Sequence, residues 1–286
     1  MRFGIHSMVW VGEWSEPSAR FAIESTARAG YDLIELTAMD PSQVDVEMTS
    51  QLLAEHRLGA SVSLGLDAST DVSSEDEEIV AAGRQRLRDA LHLVRDVGGD
   101  MLCGVIYSAL RKYDSPATAR GVANSQAVIG ELADEAAQSG IRLGLEFCNR
   151  YETNILNTTG QTLAYIDEVG RPNVTAHLDT YHMHIEEAGM REPVLAAARA
   201  GRLGYVHVGE SHRGPLGTGN VRWDDFLPAL LEAGYDGVVT FESFSSEVVN
   251  PALSGTLAIW RNLWSDNHGL AAGAREFLAE RLESPA

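Results

Sequence analysis

Eight short apolar runs with the alternating pattern of β-strands recur along the chain, separated by helical stretches. They begin near Arg2 (RFGIHSMVW), Asp32 (DLIEL), Ala60 (ASVSLGL), Asp100 (DMLCGVIY), Ile141 (IRLGLEF), Val174 (VTAHLDT), Gly204 (GYVHVGE) and Gly237 (GVVTFESF). Successive starts lie 28 to 41 residues apart, which leaves room for one helix and two loops. Ser18 to Ala29, Met48 to Leu58, Glu77 to Val97, Ala117 to Ser139, Thr159 to Val169 and Trp223 to Glu232 carry the apolar period of helices. Gly30, Gly98, Gly140 and Gly234 stand where left-handed helix caps are expected. Strict β-α alternation implies a parallel sheet, because parallel strands need crossover connections. Eight such units in 286 residues predict an α/β fold, a (β/α)8 TIM barrel, as one domain over residues 1–286. The alternative, a doubly wound open sheet, usually shows a Gly-rich nucleotide fingerprint after its first strand, and IHSMVWVGEW is not one. Two further helices, Ala252 to Trp264 and Ala271 to Leu282, fall partly or wholly outside the repeat. They give the barrel an extra C-terminal helix that covers it or makes an oligomer contact. Trp260 and Trp264, four apart on one face of the first, read as core or interface residues, with core preferred.

Charge narrows the function. The chain has 22 Lys+Arg against 41 Asp+Glu, a formal net charge of −19. A chain this acidic gains nothing from counterion release on a polyphosphate backbone and is repelled by anionic lipid. No nucleic-acid or membrane partner is therefore expected. No run is apolar and long enough to span a bilayer, and the N-terminal residues do not read as a signal peptide, so the expected compartment is the cytoplasm. Cys103 and Cys148 lie inside strand-like runs and read as buried thiols. Asp71 to Glu78 (DVSSEDEE) reads as a solvated helix entry.

In a barrel the chemistry gathers at the C-terminal ends of the strands. The last four strand runs each reach a polar residue there: Glu146, Asp179, His207 and Glu242. Strand alternation puts Glu146 in phase with Gly144, Asp179 with His177, and Glu242 with Thr240, while Leu145, Leu178, Val206, Val208 and Phe241 take the other face. All four polar residues then point inward and converge. Taken singly, each is more often a hydrogen-bonding or solvated residue. In phase on consecutive strands, three carboxylates and one imidazole suit a fairly hard divalent ion such as Mn²⁺, Mg²⁺ or Co²⁺.

These residues fall in four segments: GLEFCNRYETN from Gly144, HLDTYHM from His177, VHVGESHRG from Val206 and TFESF from Thr240. In that order they resemble the ketose 3-epimerases, the D-tagatose and D-allulose (D-psicose) 3-epimerase group of the xylose isomerase-like barrels. The resemblance extends over nearly the whole chain, including the WVGE start at Trp10 and the IWRNLW segment from Ile259. It implies inversion of C3 in a free, small-molecule ketose. It also implies one divalent metal per subunit, Mn²⁺ first with Co²⁺ or Mg²⁺ as alternatives, and a homodimer or homotetramer. By the same resemblance Glu146, Asp179, His207 and Glu242 are metal ligands, and Glu146 and Glu242 form the acid/base pair. Glu152, His182 and Arg213 match substrate-binding positions around O1 to O3, and His6 resembles a pocket position. Without the family, Glu152 reads equally as an ion-pair partner of Arg150, His182 as a helix-start residue and Arg213 as a surface charge. Glu35 either lines the barrel or makes a buried structural hydrogen bond.

The chemistry agrees with such a pair. The C2 carbonyl of a ketose acidifies the C3 proton, and inversion needs one carboxylate on each face of the carbon. Rival readings are an aldose–ketose isomerase or sugar-phosphate isomerase on the same barrel, a metal phosphoesterase of the endonuclease IV type, or a non-catalytic sugar-binding protein. Gly214 to Gly219 (GPLGTG) is either a phosphate loop or, preferably, a tight turn. Departures from the family pattern are Pro215, Phe147, Cys148 and the spacing of 28 between Asp179 and His207, whose extra residues are expected in the crossover Met190 to Leu203.

Overall fold

Each strand run forms a strand, and their parallel pairing closes on itself in sequence order from β1 round to β8. The computed structural model describes residues 1–249 and 251–282. The strands are β1 (Arg2–His6), β2 (Leu33–Thr37), β3 (Gly59–Leu66), β4 (Met101–Ala109), β5 (Arg142–Glu146), β6 (Val174–Asp179), β7 (Leu203–Val208) and β8 (Val238–Phe241). β1 closes the ring by pairing with β2 on one side and β8 on the other, with Gly4 opposite both Leu33 and Thr240. Gly4 faces inward where space is short: a Cβ there would fall 2.5 Å from Thr240 Oγ1.

Around the barrel run α1 (Glu16–Arg28), α2 (Val46–His56), α3 (Glu77–Asp96), α4 (Ala119–Ala137), α5 (Thr159–Val169), α6 (Thr180–Glu186), α7 (Arg191–Arg199) and α8 (Trp223–Glu232). α9 (Pro251–Thr256) and α10 (Asn267–Leu282) follow β8. α10 lies on the outside, where Tyr31 Oη donates to Ala271 O at 2.8 Å and Phe277 meets Trp223 edge-on. The four expected glycine caps all take positive φ. α3 starts on Asp76, whose side chain accepts from Glu78 N–H, with Glu77 and Glu78 in its first turn, so the acidic stretch is largely the expected helix entry. Asp71 departs from that reading. It is buried and accepts from Tyr113 Oη and from Ala109 N–H.

Two further expectations need correction. The β6–β7 crossover, given room for one helix, holds two, α6 and α7, the second within the Met190 to Leu203 stretch. The helix expected over Ala252 to Trp264 ends at Thr256. Ala258 takes a left-handed φ of 54° there, and Ile259 N–H returns to Ser254 O at 2.9 Å. The two tryptophans consequently share no helix face. Trp260 is 74% exposed, while Trp264 is buried and donates its indole N–H to Ser243 Oγ.

The barrel interior is layered. Its lower half is apolar and plugged by Leu33, Met101, Cys103, Tyr205 and Val238. Tyr205 Oη ties that plug across the barrel, 2.7 Å from both Ser61 Oγ and Thr240 Oγ1. The carboxylates and imidazoles Glu35, Glu146, Asp179, His207 and Glu242 lie above it, toward the C-terminal rim. Both cysteines are buried and unpaired, as expected. Among the described residues no helix is long and apolar enough to cross a membrane.

Candidate active site

Glu146 and Asp179 are the last residues of β5 and β6, His207 lies in β7, and Glu242 directly follows β8. Parallel register brings them level, with Asp179 opposite His207 and His207 opposite Thr240. One ligand atom from each of the four lies within 4.8 Å of the others, and all four residues are buried. His207 Nδ1 is 3.6 Å from Glu146 Oε1 and 3.6 Å from Glu242 Oε1. The barrel also supports the site from behind. Tyr107, fully buried on β4, donates its hydroxyl to Glu146 O at 2.8 Å. Asp179 Oδ1 caps α6 by accepting from Tyr181 N–H at 2.7 Å.

The donor set fits a metal ion on evidence beyond its composition. His207 Nε2 is 2.9 Å from Glu35 Oε2, a carboxylate with no solvent exposure. That bond places a hydrogen on Nε2. Nδ1, turned toward the three carboxylates, is buried with no hydrogen-bond partner. A carboxylate behind a histidine and a free nitrogen in front is the arrangement of a metal-binding imidazole. Of the two readings for Glu35, the structure therefore supports both: it lines the barrel and it makes the buried hydrogen bond.

Electrostatics follow from burial. Desolvation pushes the Glu146 carboxyl up to about 8; His207 opposes the shift, and the Glu242 and Asp179 charges add to it. Burial works against a charged His207, but Glu35, Glu242 and Glu146 outweigh it and raise the imidazole well above its usual value. Burial holds His6 down to about 4 and His182 down to about 3, so both are neutral near pH 7. Desolvation also raises Glu152.

The substrate-side residues gather on one cavity with Glu146, His207 and Glu242, and His6, Glu152, His182 and Arg213 all line it. His182 Nδ1 accepts from Asn149 N–H at 3.1 Å, which leaves Nε2 as the donor, 3.8 Å from Glu146 Oε1 and 4.0 Å from Glu152 Oε2. Glu152 is not the partner of Arg150, which pairs with Glu186 instead. Arg213 is no surface charge: its Nη1 bonds Asp179 Oδ2 at 3.1 Å and also Glu242, and its guanidinium lies 3.8 Å from the Tyr181 ring centroid. His6 Nε2 is 3.4 Å from Glu35 and 3.8 Å from Glu242.

The opposite wall went unread in the sequence. Met8, Met39, Leu110, Phe244, Leu253 and Leu257 make it apolar. Only the i, i+4 spacing of the two leucines hinted at a shared face, and nothing local said it faced a cavity. Cys148 lines the cavity, whereas Phe147 is fully buried in the surrounding core. The GPLGTG loop is a turn, with Gly217 N–H donated to Glu210 Oε2 at 2.9 Å. Pro215 borders a separate groove against α10.

Fold and site define a xylose isomerase-like TIM barrel, and the model of that family matches residues 23–280. Over 281 residues, 98% of either chain, the protein is 56% identical to an L-ribulose 3-epimerase of Methylomonas sp. (strain DH-1). It is 53% identical over 282 residues to a ketose 3-epimerase of Arthrobacter globiformis, covering 99% of this chain and 97% of that one. A crystal structure of D-allulose 3-epimerase from Methylomonas sp. in complex with D-allulose matches with a TM-score of 0.96 and 56% identity, over 98% of this chain and 97% of the other. Within the barrel family the chain belongs to the ketose 3-epimerases, and it is a carbohydrate isomerase.

Proposed function

We propose that this single-domain chain inverts C3 of a free ketose with the help of one divalent ion, Mn²⁺ first among Mn²⁺, Co²⁺ and Mg²⁺. The observation that carries this reading is the convergence of Glu146, Asp179, His207 and Glu242 on one point, with His207 Nδ1 buried there and unpartnered. These four residues would hold the ion. Bound there, it would supply positive charge that stabilises the negative charge developing as the C3 proton leaves.

The chain's own residues do the rest. Glu146 Oε1 and Glu242 Oε1 each lie 3.6 Å from His207 Nδ1. One takes the C3 proton and the other returns a proton to the opposite face, because a single base on one face restores the starting configuration. Arg213, Glu152 and the Nε2–H of His182 hold the O1 to O3 end so that C3 lies between the carboxylates. His6 closes the near side of the pocket. The far wall offers apolar surface only, which suits a ligand recognised at its carbonyl end and tolerated at its tail. L-ribulose and D-allulose, named for the relatives, share the C1–C2 hydroxyketone and differ in chain length and in configuration at C3 and C4. A free sugar is favoured over a phosphate ester because three N–H groups of the loop after β7, those of Ser211, Gly217 and Val221, are already bonded to the Glu210 carboxylate. The cytoplasmic homodimer or homotetramer expected from the sequence is kept; the exposed Tyr151 and Trp260 are aromatic surfaces that a second copy would cover.

The test is a panel of free ketoses offered to metal-stripped enzyme before and after Mn²⁺ is restored, with C3 inversion read by chromatography. Turnover that returns with the ion is expected. Turnover of a phosphorylated ketose and of no free one would overturn the substrate class.

A further inference from the structure

Glu210 is a fully buried carboxylate that the proposed chemistry does not use. It stands two residues beyond β7, and four N–H groups meet its charge. Ser211 N and Val221 N approach Oε1 at 2.8 and 3.1 Å. Gly217 N and the indole Nε1 of Trp223 approach Oε2 at 2.9 and 3.0 Å. Burial opposes ionisation, but these hydrogen bonds outweigh it and hold the carboxyl below its usual range. The donors come from the start, middle and end of the 211–221 loop and from the first residue of α8. A concave array of N–H groups of this kind is an anion site, filled here by the chain itself. The fit is close: a Cβ on Gly219 would fall 2.5 Å from Glu210 Oε1.

The same loop carries Arg213, whose placement is demanding. Its φ is 62°, a left-handed value that costs a non-glycine residue energy unless the surroundings impose it. Arg213 N donates to Glu210 O at 2.8 Å, and Ser243 Oγ donates to Arg213 O at 2.5 Å. From that backbone the guanidinium reaches Asp179 and Glu242 across the Tyr181 ring.

We propose that Glu210 is a positioning residue, an internal anion around which the β7–α8 loop folds so that Arg213 is aimed at the substrate. The inference rests on the reading of Arg213 as a substrate-binding residue. A neutral isostere cannot do the same work. Each carboxylate oxygen faces two donors, so one end of a glutamine amide would turn its own N–H groups onto two others.

The experiment compares E210Q, R213A and the double variant in the full-length, Mn²⁺-loaded enzyme, measuring kcat, KM, Mn²⁺ affinity and thermal unfolding. A misplacement of about 1 Å at a positioning group costs about 10²-fold in rate. E210Q is therefore expected to lose about that factor in kcat/KM, with every variant assayed at saturating Mn²⁺. R213A falls at least as far, and the double variant no further than R213A alone, because the second change acts only through the first. Wild-type kcat/KM in E210Q, or losses that multiply in the double variant, would overturn this inference and leave the reading of Arg213 standing. Wild-type turnover in R213A would overturn both. If E210Q does not fold, W223F removes a single donor. A several-fold fall in kcat/KM that vanishes in the R213A background supports the proposal, and an unchanged or multiplicative effect refutes it.

Discussion

Replacing Glu35 by glutamine removes one charge from the barrel interior while nearly preserving side-chain volume. Glu35 has no solvent exposure, and its Oε2 lies 2.9 Å from His207 Nε2. The carboxylate keeps a hydrogen on Nε2, leaves Nδ1 free and makes the ring a stronger donor to a cation. A glutamine oxygen can still accept the hydrogen bond, so ring orientation survives and the anionic contribution alone is lost. Carboxylate partners of metal-bound histidines are worth about 10- to 100-fold in affinity, and each decade is ~1.4 kcal/mol. E35Q should therefore weaken Mn²⁺ binding by ~1.4 to ~2.8 kcal/mol. Calorimetric titration of the metal-stripped protein measures this directly, with a melting curve to show that the fold is retained. E35L should do worse, since a buried His207 then loses its partner outright, and a broken buried ion pair costs about 3–5 kcal/mol of stability. An E35Q protein that binds Mn²⁺ as tightly as wild type would refute the idea that Glu35 tunes the imidazole.

Three other outcomes follow from the same structure. In the metal-free protein Glu146 titrates near 8 instead of 4.5, so between pH 6.5 and 8 the folded chain holds a proton that the unfolded chain has released. Its stability should fall as pH rises through that window, where His6 and His182 are already neutral when folded. Mn²⁺ affinity should rise over the same window with release of a proton, read from titration enthalpies in buffers of different ionisation heat; a flat affinity profile contradicts the shift. Gly104 on β4 has a φ of 104°, and a Cβ there would fall 2.4 Å from Leu64 O on β3. G104A should lose at least about 1–3 kcal/mol, and an unchanged melting temperature would contradict the strain.

The sequence revealed the site best where periodicity did the work. Glu146, Asp179, His207 and Glu242 occupy the same phase at the ends of successive strands, and closure of a parallel barrel carries that phase into three dimensions. Glu152 and Arg213 come from loops, where no period applies, and His182 from the short α6, whose few turns give no clear one, so only the family resemblance pointed to them. Glu210 was unreadable because three of its four partners are backbone N–H groups, which every residue but proline possesses. Trp260 was misplaced because ALSGTLAIWRNLW has a helical apolar period, while Gly255 and the left-handed Ala258 end the helix for local backbone reasons. The paired helices between β6 and β7 were hidden by their shortness, since α6 and α7 give too few turns for a clear period.

Proton exchange at C3 bears most directly on the central claim. Epimerisation of a free ketose by the Mn²⁺-loaded enzyme in D2O, followed by NMR, should place deuterium at C3 of the product and none at C1. E146Q and E242Q should each bind Mn²⁺ less tightly and, at saturating metal, give neither epimer nor exchange. Deuterium at C1, or epimerisation that persists in either variant, would contradict a two-carboxylate inversion of C3.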